Sequence, residues 1–171
     1  MKISLSIKLA IAAGLINCIA WYGIAKSLDF YSLNIGQYRY FTTLLLLIFG
    51  IVISIYFERK NNGGFIDFKE AAKFGVLYSF VLSLILAGFN YVYYKFIIPD
   101  AIDFFVSEER KAWLAHNRTL EETNKYLADY YIPSYGTFHV LMTTIILGII
   151  LSLIAAAIFR KKKSLTSFSA N

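Results

Sequence analysis

The chain has 171 residues, 58% apolar, 18% aromatic and only 16% charged, with a mean hydropathy of +0.57. Soluble domains lie nearer half apolar and a quarter charged, so this balance argues against one. The formal charge of +6 would suit a nucleic acid, but much of the excess sits in residues 160–163, directly after an apolar run, so no nucleic-acid partner is expected. The single cysteine, Cys18, excludes an internal disulfide and any cysteine-based zinc cage.

Apolar runs fall at about 5–27, 37–57, 71–98 and 136–159. Each is about 20 residues or longer, enough for a helix rising about 1.5 Å per residue to cross roughly 30 Å of hydrocarbon. A span must satisfy its own backbone hydrogen bonds, and nothing here alternates as barrel strands do, so the predicted class is all-α. The architecture expected is a four-helix transmembrane bundle with a short helical extracytoplasmic insert between helices three and four.

The first run opens MKISLSIKLAIAAGLINC, which resembles a signal peptide with a loose lipoprotein box at Leu15-Ile16-Asn17-Cys18. Asn17 is a poor residue immediately before the cysteine, and the apolar run continues past it, so a retained span is expected. Between spans two and three stands NNGGFIDFKEAAKFG. Gly63 and Gly64 are adjacent and no Lys-Ser/Thr pair follows, so this is no phosphate loop. Residues tolerant of positive φ instead predict a helix stop and a reversal, with Asp67 capping the next helix and Glu70 in the capping-box position. The third run is the longest and should tilt or project beyond the bilayer.

Residues 99–135 are the insert, with seven acids against four bases. Pro99 suits a first helical position, and Thr119-Leu120-Glu121-Glu122 predicts a capping box for a second helix that Pro133 ends. Two short amphipathic helices on the membrane surface are expected, either as a binding platform or as a solvated lid. Asn117-Arg118-Thr119 matches a glycosylation sequon by three residues only.

Orientation follows the basic residues. Ten of the 17 fall at the first end, between spans two and three, or in the tail 160–171, and seven are spread over the longer opposite side. Both termini are therefore expected to be cytoplasmic. Trp21, Tyr22, Tyr38, Tyr40, Tyr91, Tyr93, Tyr94, Tyr135 and Phe138 gather at the opposite ends, as interfacial aromatics do.

Gly63-Gly64 after a basic span end, Phe65-Ile66-Asp67-Phe68-Lys69-Glu70-Ala71, Gly75, Ile98-Pro99-Asp100 and Leu153-Ile154-Ala155 before Lys161-Lys162 form an ordered pattern. It resembles the bacterial membrane-protein family catalogued as domain of unknown function 4199, over about residues 5–163. The resemblance implies a small multi-pass protein of the bacterial inner membrane and brings no activity, substrate or catalytic residue.

Small residues recur at i+4: Gly75, Ser79, Ser83 and Ala87 in span three, Thr144, Gly148, Ser152 and Ala156 in span four, and Ala10, Gly14 and Cys18 in span one. Such rows let helices approach closely. Gly14, Gly75, Ser79, Ser83, Gly148 and Ser152 are the predicted packing positions, or else an oligomer seam. Spans one, three and four are expected to pack tightly, with span two more exposed to lipid.

No acid lies at the centre of a span, and His116 and His139 form no metal set, so no metal or cofactor is expected. No Ser-His-acid or Cys-His arrangement is legible, so the chain is not expected to be an enzyme. Asn17, Arg39, Asn90, Lys95 and His139 are the polar residues that an outward-facing ligand cluster would use, though each also suits an interhelical bond or an interfacial position. The leading expectation is an accessory or scaffold subunit acting by protein association, with membrane lipid and a protein partner or second copy as its associates. The alternative is a small-molecule or lipid binder or transporter.

Overall fold

The computed structural model describes residues 5–28, 35–116, 118–130 and 133–161. Asn117, Lys2, Lys162 and Lys163 lie outside them. The elements are α1 (Leu5–Leu28), α2 (Ile35–Asn61), α3 (Phe68–Val92), a π turn over Tyr93–Ile97, α4 (Asp100–Ala115), α5 (Leu120–Tyr130) and α6 (Pro133–Phe159). The chain is all-α, and α1, α2, α3 with its π turn, and α6 are long and apolar enough to cross a membrane. Pro133, expected to end the second insert helix, opens α6 at the position where its missing N–H costs nothing.

The predicted small-residue rows meet most closely between α3 and α6, the most extensively packed pair. Ser79 Oγ donates to Gly75 O on its own helix at 2.9 Å, and its side chain fills the space over Gly148. Ser152 Oγ donates to Gly148 O at 2.6 Å and fills the space over Gly75. Each hydroxyl is thus satisfied within its own helix, and each glycine leaves the gap that the opposing serine occupies. Ser83 is buried and returns its hydroxyl to Phe80 O. On α1, Gly14 lies against Ile85 of α3.

The expected trio of spans one, three and four is only half right. Among the described residues α1 and α6 make little direct contact, whereas α2 packs against all three other spans. It buries Leu47, Ile51, Ser54 and Ile55 while keeping an apolar outer face. Gly50 is the reason: the Tyr78 ring occupies the space where any side chain at Gly50 would project, and its hydroxyl donates to Leu46 O at 3.0 Å. Two small residues, Ser6 and Ser54, are hydrogen-bonded between α1 and α2.

At one end, here the corner end, Gly63 (φ 69°) and Gly64 (φ 89°) turn the chain from α2 into α3. The Asp67 carboxylate accepts from Glu70 N at 2.7 Å. Glu70 does not complete a capping box but accepts from Asn62 Nδ2 at 3.0 Å. Ile66 and Lys161 exchange backbone hydrogen bonds at 3.1 and 2.9 Å in an isolated antiparallel bridge, tying the corner to the chain leaving α6. Arg59 Nε donates to Gly64 O at 2.9 Å and Nη1 approaches Phe159 O at 3.5 Å, placing a cation on the C-terminal carbonyls of α6.

At the opposite, insert end, α4 and α5 pack on one another, with the Trp113 and Tyr126 rings stacked at 4.2 Å. The capping box forms reciprocally, Glu122 N to Thr119 Oγ1 at 3.2 Å and Thr119 N to Glu122 Oε2 at 3.1 Å. The Thr119 backbone N–H holds the Glu122 carboxyl below the usual glutamate range.

Gly148→Leu should overpack the α3–α6 seam by about 1–3 kcal/mol and lower both folded yield and the detergent melting temperature; unchanged melting would remove the seam as a packing determinant. Asp67→Ala should cost about 1 kcal/mol, readable in the same melt. The Glu122 carboxyl binds its proton less readily folded than unfolded, so its contribution is present above about pH 4.3 and fades as pH falls through its lowered value. Helical ellipticity of wild type should therefore fall in acid more than that of Glu122→Gln.

Candidate functional site

The insert end of the bundle holds an aromatic cluster. Trp21 and Ala25 of α1 pack with Tyr93 of the π turn, Ile98, and Ala101 of α4, flanked by Phe89, Tyr94 and Phe105. Tyr93 lies 5.8 Å from Trp21, 5.7 Å from Phe89 and 5.2 Å, edge-on, from Tyr94. The π turn sets this arrangement: Ile98 N donates to Tyr93 O, five residues back, at 3.0 Å. One extra residue in the turn changes the helical register beyond Val92.

Against this cluster lies Arg39, in the second turn of α2. Its guanidinium carbon stands 5.5 Å from the centre of the Trp21 ring. Nη1 donates to Asn90 Oδ1, and Tyr94 lies close to the guanidinium. Asn90, 2% exposed, spends its amide nitrogen on Thr137 Oγ1 of α6 at 3.4 Å. The Asn90 amide accepts from a cation at its oxygen and donates to a hydroxyl from its nitrogen. Trp21, Arg39, Asn90 and Thr137 thus bring α1, α2, α3 and α6 to one point.

Of the five residues predicted for a ligand cluster, the structure joins Arg39 and Asn90 directly. Asn17 is buried on α1 one turn from Trp21, along the face that also carries Gly14 and Ala25. Lys95 is elsewhere: its Nζ donates to Tyr91 Oη at 2.6 Å on the exposed side of the π turn. His139 is exposed on α6, and its carbonyl receives the Thr143 hydroxyl. Thr137, Trp21 and Tyr94 complete the junction without having been singled out as polar candidates. An aromatic near a span end reads first as an interfacial anchor, and only the register change in the π turn shows that Tyr94 faces Arg39.

The electrostatics are unusual for a bundle interior. Among the described residues the ion pair is Lys111–Glu108 on α4, and no carboxylate faces Arg39. A guanidinium offers five donors and cannot shed its charge. Here one neutral amide and one indole face share it, with the Tyr94 phenol nearby. A polar amide accepts a hydrogen bond from the cation and leaves its net charge uncancelled. Among the described residues no group of three His, Cys, Asp or Glu could hold a metal. The junction's chemistry is therefore that of a cation presenting N–H donors, suited to a carboxylate or phosphate oxygen.

Asn90→Leu should cost about 1.5–3 kcal/mol, the range for losing a hydrogen bond to a charged group, and lower the detergent melting temperature. Asn90→Asp should raise it by giving Arg39 a countercharge. If both variants melt as wild type does, the bond does not hold the spans together.

A family model described as "Protein of unknown function (DUF4199)" matches residues 8–161, nearly the whole chain. No curated protein and no solved structure matches it.

Proposed function

We propose, for a chain that belongs to the DUF4199 family of proteins of unknown function, that it works in the membrane by binding an anionic group at the Arg39 junction. The ligand is a small molecule or lipid headgroup carrying a carboxylate or phosphate. One observation carries the reading: a guanidinium lodged among four spans is held by a neutral asparagine in place of an acid. An intramembrane cation is costly, and a structural role would be served better by a paired carboxylate at position 90. Among the described residues, keeping the amide leaves a charge for an incoming anion to neutralise. With the basic corner end taken as cytoplasmic, the junction lies near the outer side of a bacterial inner membrane.

Association with another protein is the second reading, and the α4–α5 hairpin supports it. Leu114, Leu120 and Tyr126 are exposed there beside the Trp113–Tyr126 stack, as on an accessory subunit's docking face. The small-residue rows support it less, because Gly14, Gly75 and Gly148 are occupied by contacts within the chain.

The test is mass spectrometry of protein purified natively in mild detergent. Wild type should carry about one anionic molecule per chain, a released lipid or a soluble acid according to its source. Arg39→Gln should lose it. Asn90→Asp, whose carboxylate occupies Arg39 internally, should lose it while remaining folded. Wild type free of any anion, or undiminished retention by folded Asn90→Asp, would overturn the proposal.

A further inference from the structure

The corner end carries a second concentration of charge, apart from the Arg39 junction. Lys60 at the end of α2, Lys69 and Lys73 in the first two turns of α3, and Arg160 and Lys161 after α6 are all exposed. The Ser6–Ser54 bond brings the start of α1, with exposed Lys8, to the same end. The nearby acids are largely engaged: Asp67 caps α3 and Glu70 accepts from Asn62. Among the described residues none of these bases has an acid within ion-pair distance.

Geometry makes this more than a basic tail. The Ile66–Lys161 bridge fixes the backbone of the outgoing chain against the corner, and Lys161 Nζ stands 5.8 Å from the centre of the Phe65 ring. Arg59 pins the same junction from within through Gly64 O and Phe159 O. Bases from three segments are thereby held at the same end as the apolar Phe65 and the exposed Phe68. Cations set among apolar side chains at the end of a span match a lipid headgroup region, where phosphate lies directly above acyl chain.

We infer that the bridged corner end is a binding site for the phosphate of anionic phospholipids, with Lys69, Lys73, Arg160 and Lys161 as its principal cations. The bridge holds Arg160 and Lys161 in a set position beside the corner. Charge number and bridge geometry therefore make separable contributions.

The experiment uses the full chain in bilayer discs containing equal phosphatidylglycerol and phosphatidylethanolamine, with native mass spectrometry of the lipids retained on release. It is run in the Asn90→Asp background, so that any anion at Arg39 is already displaced. The anionic lipid should be enriched at least about fivefold over the zwitterionic one, the scale of one basic residue near a charged surface. Lys69→Gln/Lys73→Gln, on an exposed helix face, should reduce that enrichment several-fold. Insertion of two glycines between Phe159 and Arg160 keeps every charge and breaks the bridge register, and should reduce it as well. Retention of both lipids in the proportions supplied would overturn the site. Full enrichment in the glycine-insertion variant would overturn the claim that the bridge builds it.

Discussion

Helices in hydrocarbon gain nothing from hiding apolar side chains from one another, because lipid solvates them equally well. Close contact has to come from shape, and the α3–α6 seam supplies it through two copies of one arrangement running in opposite directions. Gly75 and Ser79 on α3 face Ser152 and Gly148 on α6. The glycines bring the backbones together and the serine hydroxyls close onto their own helices, so no polar group is stranded. With this pair fixed, α1 lodges against α3 through Gly14, and α2 lies across the bundle with Gly50 under the Tyr78 ring.

The same seam determines what happens at each end. At the corner, antiparallel α3 and α6 bring residue 66 level with residue 161, so the chain leaving α6 pairs with the chain entering α3. At the insert end it places Thr137 beside Asn90, and α2 brings Arg39 to the other side of that amide. The π turn then directs Tyr93 and Tyr94 towards α1 and Arg39. The polar junction rests on packing far from it, near the middle of the spans.

The two charged regions use opposite chemistry. Arg39 is a single cation enclosed by rings and one amide, where low local dielectric magnifies any anion that reaches it. The corner bases are exposed and act in number, so each adds a modest, salt-screened attraction. On the two proposals, an enclosed cation would select one ligand, whereas exposed bases would attract a surface.

Much of this was legible in the sequence because the bilayer imposes coarse rules. Four long apolar runs fixed four helices, Asn-Asn-Gly-Gly and Asp67 marked the corner, and Thr119 to Glu122 marked the start of α5, all through local backbone chemistry. Spacing of small residues located the seam, since an i+4 row needs only the helical period. The sequence also listed the polar residues of the insert end but could not sort them: Arg39 and Asn90 meet, while Lys95 and His139 turn away. That sorting depends on which faces the spans present to each other, on Gly50 admitting Tyr78, and on an extra residue in the π turn. A hydropathy pattern specifies depth along a helix, but rotation about its axis is decided only when the four helices pack.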